Sequence, residues 1–301
     1  MDRLSLRQLR YFSALARFLH FGRAAEACAI SQPALSMQIK ELEQSLGINL
    51  IERFGRQTRL TAFGERAVGA IDAILKAIDD LDSLARAAQG NLVGRFRLGM
   101  IPTIAPYLFP ALIEKAHEDF PRLDILLREA VTAKLVEELE GGKIDAAIMA
   151  LPIDDDLLAS VTILRETFLL VRSKSQANAP IPAPETLKNM PLLLLDDGHC
   201  FRAQALSYCG IGANAGRHAF DAQSLSTLVR MAAAGQGVTL IPEMARDLET
   251  RGTDVIVQYL NDPQPERVIG MIWRKANPMA GQYLRFAEMV QKATMISRTS
   301  G

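Results

Sequence analysis

From residue 95 onwards, short apolar segments of strand character alternate with longer segments of helical periodicity. Such alternation predicts an α/β region with mostly parallel sheets. Because this region takes up about two-thirds of the 301 residues, we expect two lobes, each with a core of its own. The candidate strands are 95–100, 123–129, 144–149, 163–172, 191–195, 237–241, 253–258 and 267–273, and the candidate helices are 105–120, 131–141, 223–235 and 279–296.

The first 64 residues have a basic excess that the neutral net charge of the whole chain conceals. They hold nine lysines and arginines against five acidic residues, whereas the full chain carries 34 of each kind. A basic end on a neutral protein indicates contact with nucleic acid. Charge alone is equally compatible with a solvated surface, so the local residue pattern has to decide.

The composition of the chain argues against several classes of protein. No run of about 18 uncharged apolar residues occurs, so we expect no membrane-spanning segment. The first seven residues lack the apolar stretch of a secretory signal. Three cysteines are too few for a disulfide scaffold. We therefore expect a cytoplasmic protein of about two domains.

The N-terminal segment has the pattern of three short helices. Apolar residues at helical spacing predict amphipathic helices over residues 5–18 and 21–28. A third helix is expected after the N-cap Ser31, with Pro33 in its first turn and Gly47 at its end. This arrangement predicts a helix-turn-helix whose third helix presents its first turns to the major groove. The candidate DNA-contacting residues are Arg23, Ser31, Gln32, Pro33, Ala34, Ser36, Gln38 and Lys40.

A turn with basic flanks follows, from Arg53 to Arg59. It suits a wing that lies along the phosphates or in the minor groove, because cationic side chains bind there without reading base edges. Arg53, Arg56 and Arg59 are its candidate contacts.

A single apolar seam characterises the segment after the wing. Its members alternate four and three residues apart, which is a period of 3.5. One stripe of this kind needs a partner surface. A second copy of the same helix and the chain's own C-terminal domain are both open as that partner. The seam residues are Ala67, Ile71, Ile74, Ile78, Leu81 and Ala85.

A specific set of residues in the first 64 positions carries a known signature. It consists of Ala24-Ala25, Ser31-Gln32-Pro33-Ala34-Leu35-Ser36, Gln38-Ile39, Leu42-Glu43, Leu46-Gly47, Leu50-Ile51, Arg53, and Leu60-Thr61-Ala62 with Gly64. In these positions the chain resembles the LysR-type regulators. The resemblance implies an N-terminal all-α winged helix-turn-helix domain over residues 1–62 and a dimerising linker helix over 63–90. It further implies a two-lobed α/β effector domain over 91–301, built like a periplasmic binding protein.

The resemblance also implies where the lobes divide and what the protein binds. Lobe I would comprise about 91–165 and 267–301, and lobe II about 166–266. Double-stranded promoter DNA is the implied partner, with RNA polymerase as a further contact of an activator. The chain would form a homodimer through the linker helix and, from two such dimers, a homotetramer.

Two of the three cysteines, Cys200 and Cys209, lie nine positions apart. His199 and Arg202 flank the first, and cationic neighbours favour the reactive thiolate. In a helix the two Cα atoms would be separated by about 13.5 Å along the axis, whereas a disulfide needs roughly 7 Å or less. The segment is therefore either not helical in the reduced protein or must melt to form the bridge. We predict the second, which would couple oxidation to conformation.

The segment around the two thiols, Gly198-His199-Cys200 with the second cysteine nine residues on, resembles that of the peroxide-sensing LysR-type regulators. The resemblance implies hydrogen peroxide as the signal, Cys200 as the peroxidatic thiol and Cys209 as the resolving thiol. It also implies that peroxide is bound or polarised by Thr103, Thr132, His199, Arg202 and Arg267. Ala203 departs from the family, which commonly has aspartate there. Both threonines could also simply cap helices, and the two roles can coexist.

Two other functions remain open from the residues alone. One is a LysR-type regulator that responds to a metabolite and whose cysteines are incidental. The other is a thiol peroxidase joined to a DNA anchor, although we favour a sensor that is not an enzyme. We expect no cofactor, and no metal either, because Cys-x8-Cys with one adjacent histidine lacks zinc-ligand spacing. Cys28 we interpret as a small buried residue.

Overall fold

A computed structural model describes residues 4–54, 57–88, 92–211 and 218–299. Arg56, one of the predicted wing contacts, lies outside these residues. The chain divides into two compact units, Met1–Ala85 and Arg86–Gly301. Within the described ranges, no helix combines the length and apolarity needed to cross a membrane.

The N-terminal unit is a winged helix-turn-helix followed by a long helix, as predicted. Ser31 caps the third helix, since its side chain accepts a hydrogen bond from the backbone N–H of Ala34 at 3.3 Å. Gly47 ends that helix in the left-handed conformation, with φ of +71°. The elements are α1 (Leu6–Phe18), α2 (Phe21–Ala27), α3 (Gln32–Leu46), β1 (Ile51–Phe54), β2 (Gln57–Leu60) and α4 (Ala62–Ala88).

The wing is an antiparallel hairpin that closes on the start of the long helix. Strands β1 and β2 pair in register from Ile51 opposite Leu60 to Phe54 opposite Gln57. Gly64, in the first turn of α4, fits closely against the wing, because a Cβ there would lie 2.0 Å from the carbonyl oxygen of Leu50. The hairpin is therefore held at a defined position beside α3 and α4.

Helix α4 uses its apolar seam for two purposes. At its N-terminal end Ile71 is buried and Ala67 packs against the core of the DNA-binding unit. Further along, Ile74 and Leu81 are 46% and 65% exposed. The first turns thus anchor the helix to its own unit, and the later seam residues are free to meet another surface.

The C-terminal unit contains nine strands and seven helices among the described residues. The strands are β3 (Gly94–Met100), β4 (Leu123–Glu129), β5 (Ala146–Leu151), β6 (Leu158–Ser173), β7 (Leu192–Leu195), β8 (His218–Ala222), β9 (Thr239–Pro242), β10 (Val255–Tyr259) and β11 (Glu266–Arg274). The helices are α5 (Ala105–Asp119), α6 (Thr132–Glu140), α7 (Pro184–Leu187), α8 (Cys200–Tyr208), α9 (Leu225–Ala233), α10 (Arg246–Thr250) and α11 (Ala280–Thr299).

The prediction of mostly parallel sheets is wrong. Among the described strands, β3–β4, β3–β5 and β7–β8 pair in parallel, whereas β6 and β11 pair antiparallel with each other and with β5, β9 and β10. The reason is the long strand β6, which leaves the first lobe and is met by β11 on the return path. Two oppositely directed crossings side by side produce antiparallel ladders in the middle of the molecule.

Two separate cores confirm the two-lobed architecture. One lies between β3, β4, β5, α5, α6 and α11, with Phe96 and Phe286 in edge-to-face contact at 4.9 Å between centroids. The other lies around β7, β9, α8 and α9, where the tilted rings of Phe168 and Phe201 pack with their centroids 4.7 Å apart. Strand β6 contributes to both cores, whereas β11, its antiparallel neighbour, contributes its buried residues to the first, so the site between the lobes lies beside a strand that the two lobes share.

Candidate functional site: a thiol pocket between the lobes

A narrow pocket between the two lobes brings four of the predicted redox residues together. The space enclosed by its side chains is too small to admit a water molecule, so a ligand enters only when these side chains move apart. The loop after β3 and the start of α6 supply one wall, and the start of α8 supplies the other. The residues that line it are Ile101, Pro102, Thr103, Val131, Thr132, His199 and Cys200.

Cys200 and Cys209 occupy opposite ends of α8, and both are free thiols. Cys200 is the first residue of the helix and faces the pocket, half-buried. Cys209 is the C-cap and is buried in the second core. Burial raises the pKa of the Cys209 thiol to about 11. With the segment helical, the two Cα atoms are separated by about 13.5 Å along the axis, so they cannot form a disulfide without unwinding.

Helix α8 is short and held mainly by its packing. Its N-cap, His199, makes no side-chain capping bond. Phe201 and Leu206 anchor it in the second core at 3% and 4% exposure. Because a nine-residue helix is marginal on its own, loss of these contacts would release it.

The two threonines do not cap helices, so that interpretation is wrong. The N-caps of α5 and α6 are Ile104 and Val131, and neither has a side-chain capping bond. Thr103 Oγ1 instead accepts a hydrogen bond from Arg267 at 2.8 Å. Thr132 Oγ1 is buried and has no hydrogen-bond partner in the described part of the chain. An unsatisfied hydroxyl in a pocket indicates a place for a polar ligand.

Arg267 lies behind the pocket rather than in its wall. It is 1% exposed, and its guanidinium donates to Glu166 Oε1, to Thr103 Oγ1 and to the Thr103 carbonyl oxygen at 2.6, 2.8 and 2.9 Å. Sequence reasoning missed Glu166. Its signal was an acidic residue just before the apolar run of β6, beside the predicted crossing point.

His199 and Arg202 differ from the expectation that both act as cationic neighbours. Burial lowers the pKa of the His199 imidazole, against the opposing effect of Asp196, and thus favours the uncharged ring. In that form the ring can exchange hydrogen bonds with the pocket. Arg202 does not line the pocket; it pairs with Asp197 at 3.1 Å and donates to the Leu195 carbonyl at 2.8 Å. Arg202 thus ties α8 to the strand before it.

Cys28 is half-buried, not buried as predicted. It lies at the C-cap of α2 in the DNA-binding unit. Burial still raises the pKa of its thiol. It therefore provides an internal comparison for thiol reactivity outside the pocket.

The predicted DNA-contacting residues cluster at the start of α3 and on the wing. Gln38 is oriented by Glu41, to whose Oε2 it donates a hydrogen bond at 2.8 Å. Met37 lies between the predicted contacts and is 55% exposed, but the sequence analysis did not single it out. An apolar side chain at this position is suited to contact with a thymine methyl group. Arg23, Ser31, Gln32, Pro33, Lys40 and Arg59 are exposed, Ala34, Ser36 and Gln38 are partly exposed, and Arg53 lies in β1.

Comparison with known proteins agrees with both halves of the chain. The family model of the lysR-type bacterial regulatory helix-turn-helix protein matches residues 6–65, and that of the LysR substrate binding domain matches 89–294. The chain is 37% identical over 291 residues to the DNA-binding transcriptional dual regulator OxyR of Escherichia coli, covering 96% of this chain and 95% of that protein.

Solved structures show the same likeness. A full-length cysteine-to-aspartate variant of OxyR from Pseudomonas aeruginosa has a TM-score of 0.73 at 32% identity, covering 97% of this chain and 96% of its own. A hydrogen peroxide-bound cysteine-to-serine mutant of Corynebacterium glutamicum OxyR has a TM-score of 0.67 at 33% identity, covering 97% and 93%. The chain therefore belongs to the LysR family of bacterial helix-turn-helix transcription regulators, with OxyR proteins among its relatives.

Proposed function

We propose that this regulator senses hydrogen peroxide through Cys200 and converts its oxidation into a change at promoter DNA. The observation that carries the proposal is the juxtaposition, in one narrow pocket, of the Cys200 thiol and the unsatisfied Thr132 hydroxyl. Peroxide is small and has two oxygens that both donate and accept hydrogen bonds. Thr103, Thr132 and His199 supply hydrogen-bonding groups around it.

The first chemical step is an attack of the Cys200 thiolate on one peroxide oxygen. The S–O bond forms, the O–O bond breaks and hydroxide leaves, so that Cys200 becomes a sulfenic acid. Arg267 donates a hydrogen bond to the Thr103 hydroxyl and polarises it, so that this hydroxyl can donate a hydrogen bond to the leaving oxygen. Neutral His199 can accept or donate the accompanying proton.

The second step joins the two cysteines. The Cys209 sulfur attacks the Cys200 sulfur, an S–S bond forms and the sulfenic oxygen leaves as water. In the folded helix Cys209 is protonated and remote, because its pKa is about 11 and its partner is about 13.5 Å away along the axis. Unwinding of α8 therefore precedes disulfide formation, and this requirement couples the oxidation to a conformational change.

The DNA-binding unit provides the output. Residues of α3 read the major groove and the wing contacts phosphate. Ile74 and Leu81, exposed on α4, form the seam of a homodimer. We propose the division 1–62, 63–90 and 91–301, assembly into a homotetramer, and activation through RNA polymerase in the cytoplasm. The chain acts as a regulator that reacts once per reduction, not as a peroxidase.

Intact-mass and peptide mapping after stoichiometric hydrogen peroxide tests the proposal. We expect a Cys200–Cys209 disulfide in the reduced wild type and a trapped sulfenic acid on Cys200 in Cys209→Ser. Cys28 serves as the internal comparison and stays reduced. Slow oxidation that does not distinguish Cys200 from Cys28 would contradict the proposal and favour a metabolite-responsive regulator.

A DNA footprint of the same samples tests the output. We expect the footprint of wild type to change with peroxide and that of Cys200→Ser to remain in the reduced pattern. Steady peroxide consumption with excess thiol reductant, at a rate independent of DNA, would instead indicate a peroxidase.

A further inference from the structure

An ion pair in the middle of the two crossing strands supports the pocket from behind. Glu166 on β6 and Arg267 on β11 are direct cross-strand partners. Both side chains are completely buried, and Arg267 Nη2 lies 2.5 Å from Glu166 Oε1. The pair lies where the chain crosses between the lobes, so it belongs to neither core alone.

The remaining hydrogen-bond donors of the Arg267 guanidinium are directed at a residue that lines the pocket. Two donors hold the hydroxyl and carbonyl oxygens of Thr103. Its planar face lies over the Phe201 ring, 5.4 Å from the centroid, which is within reach of a cation–π contact. Phe201 directly follows Cys200 in α8. Arg267 thus touches both walls of the pocket.

Glu166 determines where Arg267 can be. A buried guanidinium without a counter-charge is costly and would seek other acceptors or water. The second carboxylate oxygen of Glu166 accepts a hydrogen bond from the Met244 backbone N–H at 3.1 Å, so the carboxylate itself is fixed from the second lobe. The charge pair is consequently rigid and electrically neutral.

We propose that Glu166 is a positioning residue for the oxidation of Cys200. It holds Arg267 so that Thr103 stays aimed into the pocket and Phe201 stays seated beside the thiol, and it neutralises the arginine charge next to the pocket. This inference rests on the proposed function. Among the described residues, the charged or titratable groups near Cys200 in α8 and the segment before it are His199, Asp196 and the Asp197–Arg202 pair. Tyr107, which donates a hydrogen bond to Glu249, also interacts with the charges of Glu166 and Arg267.

The test measures the rate constant of Cys200 oxidation by hydrogen peroxide in the Cys209→Ser background, with a sulfenic acid trap, across a range of pH. Glu166→Gln keeps the shape and removes the charge. Asp145→Asn is the matched control, because Asp145 is also buried and pairs with Arg97 away from the pocket.

We expect Glu166→Gln to lower the plateau rate constant by about tenfold or more, because small misplacements of positioning groups cost up to about a hundredfold. We also expect the pH of half-maximal rate to fall, since unneutralised Arg267 favours the Cys200 thiolate. Asp145→Asn should stay within about twofold of the parent at an unchanged midpoint. Glu166→Asp, which retains the charge but shortens the side chain, should keep the midpoint and lower the plateau rate constant.

A midpoint that does not move in Glu166→Gln, or a rate loss that Asp145→Asn shares, would overturn the inference and leave Glu166 a structural residue. Where Glu166→Gln does not fold, Glu166→Asp decides: a parental plateau rate would overturn the positioning role. Failure of the proposed function looks different. In that case the parent itself shows no Cys200 reaction above that of Cys28.

Discussion

The strength of helix α8 should set the rate of disulfide formation without affecting the first oxidation step. Ala203 is exposed in the interior of this helix and does not line the pocket. Replacing it by glycine costs a helix about 1 kcal/mol, which raises the population of the unwound segment about fivefold, since 1.4 kcal/mol corresponds to a factor of ten. We therefore expect Ala203→Gly to accelerate the second step about fivefold.

A substitution that stabilises α8 instead of weakening it provides the complementary test. Ser207 is exposed near the C-terminal end of α8, and alanine there is the better helix former by about 0.5 kcal/mol. Ser207→Ala should slow the second step about twofold by the same arithmetic. Stopped-flow Trp273 fluorescence or quenched mass analysis separates sulfenic acid formation from disulfide formation.

The first step is the internal control, because neither exposed side chain touches the pocket. Its rate constant should be the same in Ala203→Gly, Ser207→Ala and wild type. If both variants leave the second step within measurement error of wild type, unwinding of α8 is not on the path to the disulfide. Effects of the same sign in both would equally refute the reasoning.

Three further predictions concern other parts of the molecule. Thr132→Val removes a buried hydroxyl that has no partner among the described residues. We expect unchanged or higher thermal stability but a rate constant for Cys200 oxidation that is lower by about tenfold. Unaltered peroxide kinetics would refute the role of Thr132. Burial raises the pKa of Cys209 from 9.0 to about 11 in the folded protein, so the unfolded chain loses the thiol proton first and up to about 3 kcal/mol of unfolding free energy is lost between pH 9 and 11. Urea titrations should show a steeper loss in reduced wild type than in Cys209→Ala, and parallel curves would count against burial as the cause. Leu81→Lys places a charge on the exposed seam of α4, and sedimentation should then show dissociation of the dimer. Ala73→Lys, on an exposed neighbouring face, should leave the dimer intact. Equal behaviour of the two variants would exclude this seam as the interface.

Local sequence signals predicted the DNA-binding unit well. Ser31, Pro33 and Gly47 act on their own backbone within a few residues, so the bounds of α3 follow from nearest-neighbour chemistry. Helix geometry left two alternatives for the segment from Cys200 to Tyr208, a non-helical segment or a helix that must melt, and the second, which we predicted, agrees with the helix α8. Periodicity likewise located the later seam of α4.

Long-range pairing was predicted less well. Strand periodicity does not say which neighbour a strand will have, so the antiparallel contacts of β6 and β11 were missed. The strand β8 was missed altogether, since its five residues, His218–Ala222, lack a continuous apolar run. Arg202 was assigned to the pocket from its proximity in sequence to Cys200, but the helix turns it towards Asp197.

The sequence by itself determined the family, the helix caps and the presence of two closely spaced thiols, because each of these depends on residue type and short spacing. The other candidate pocket residues came from the resemblance to the family. Only the tertiary structure decided which of those residues meet. Thr103, Thr132 and Cys200 come from three distant segments, and Glu166 and Arg267 are 101 residues apart in sequence. Their contacts exist because two strands cross between the lobes side by side, and the free energy of that arrangement comes from burial of both cores rather than from any local signal.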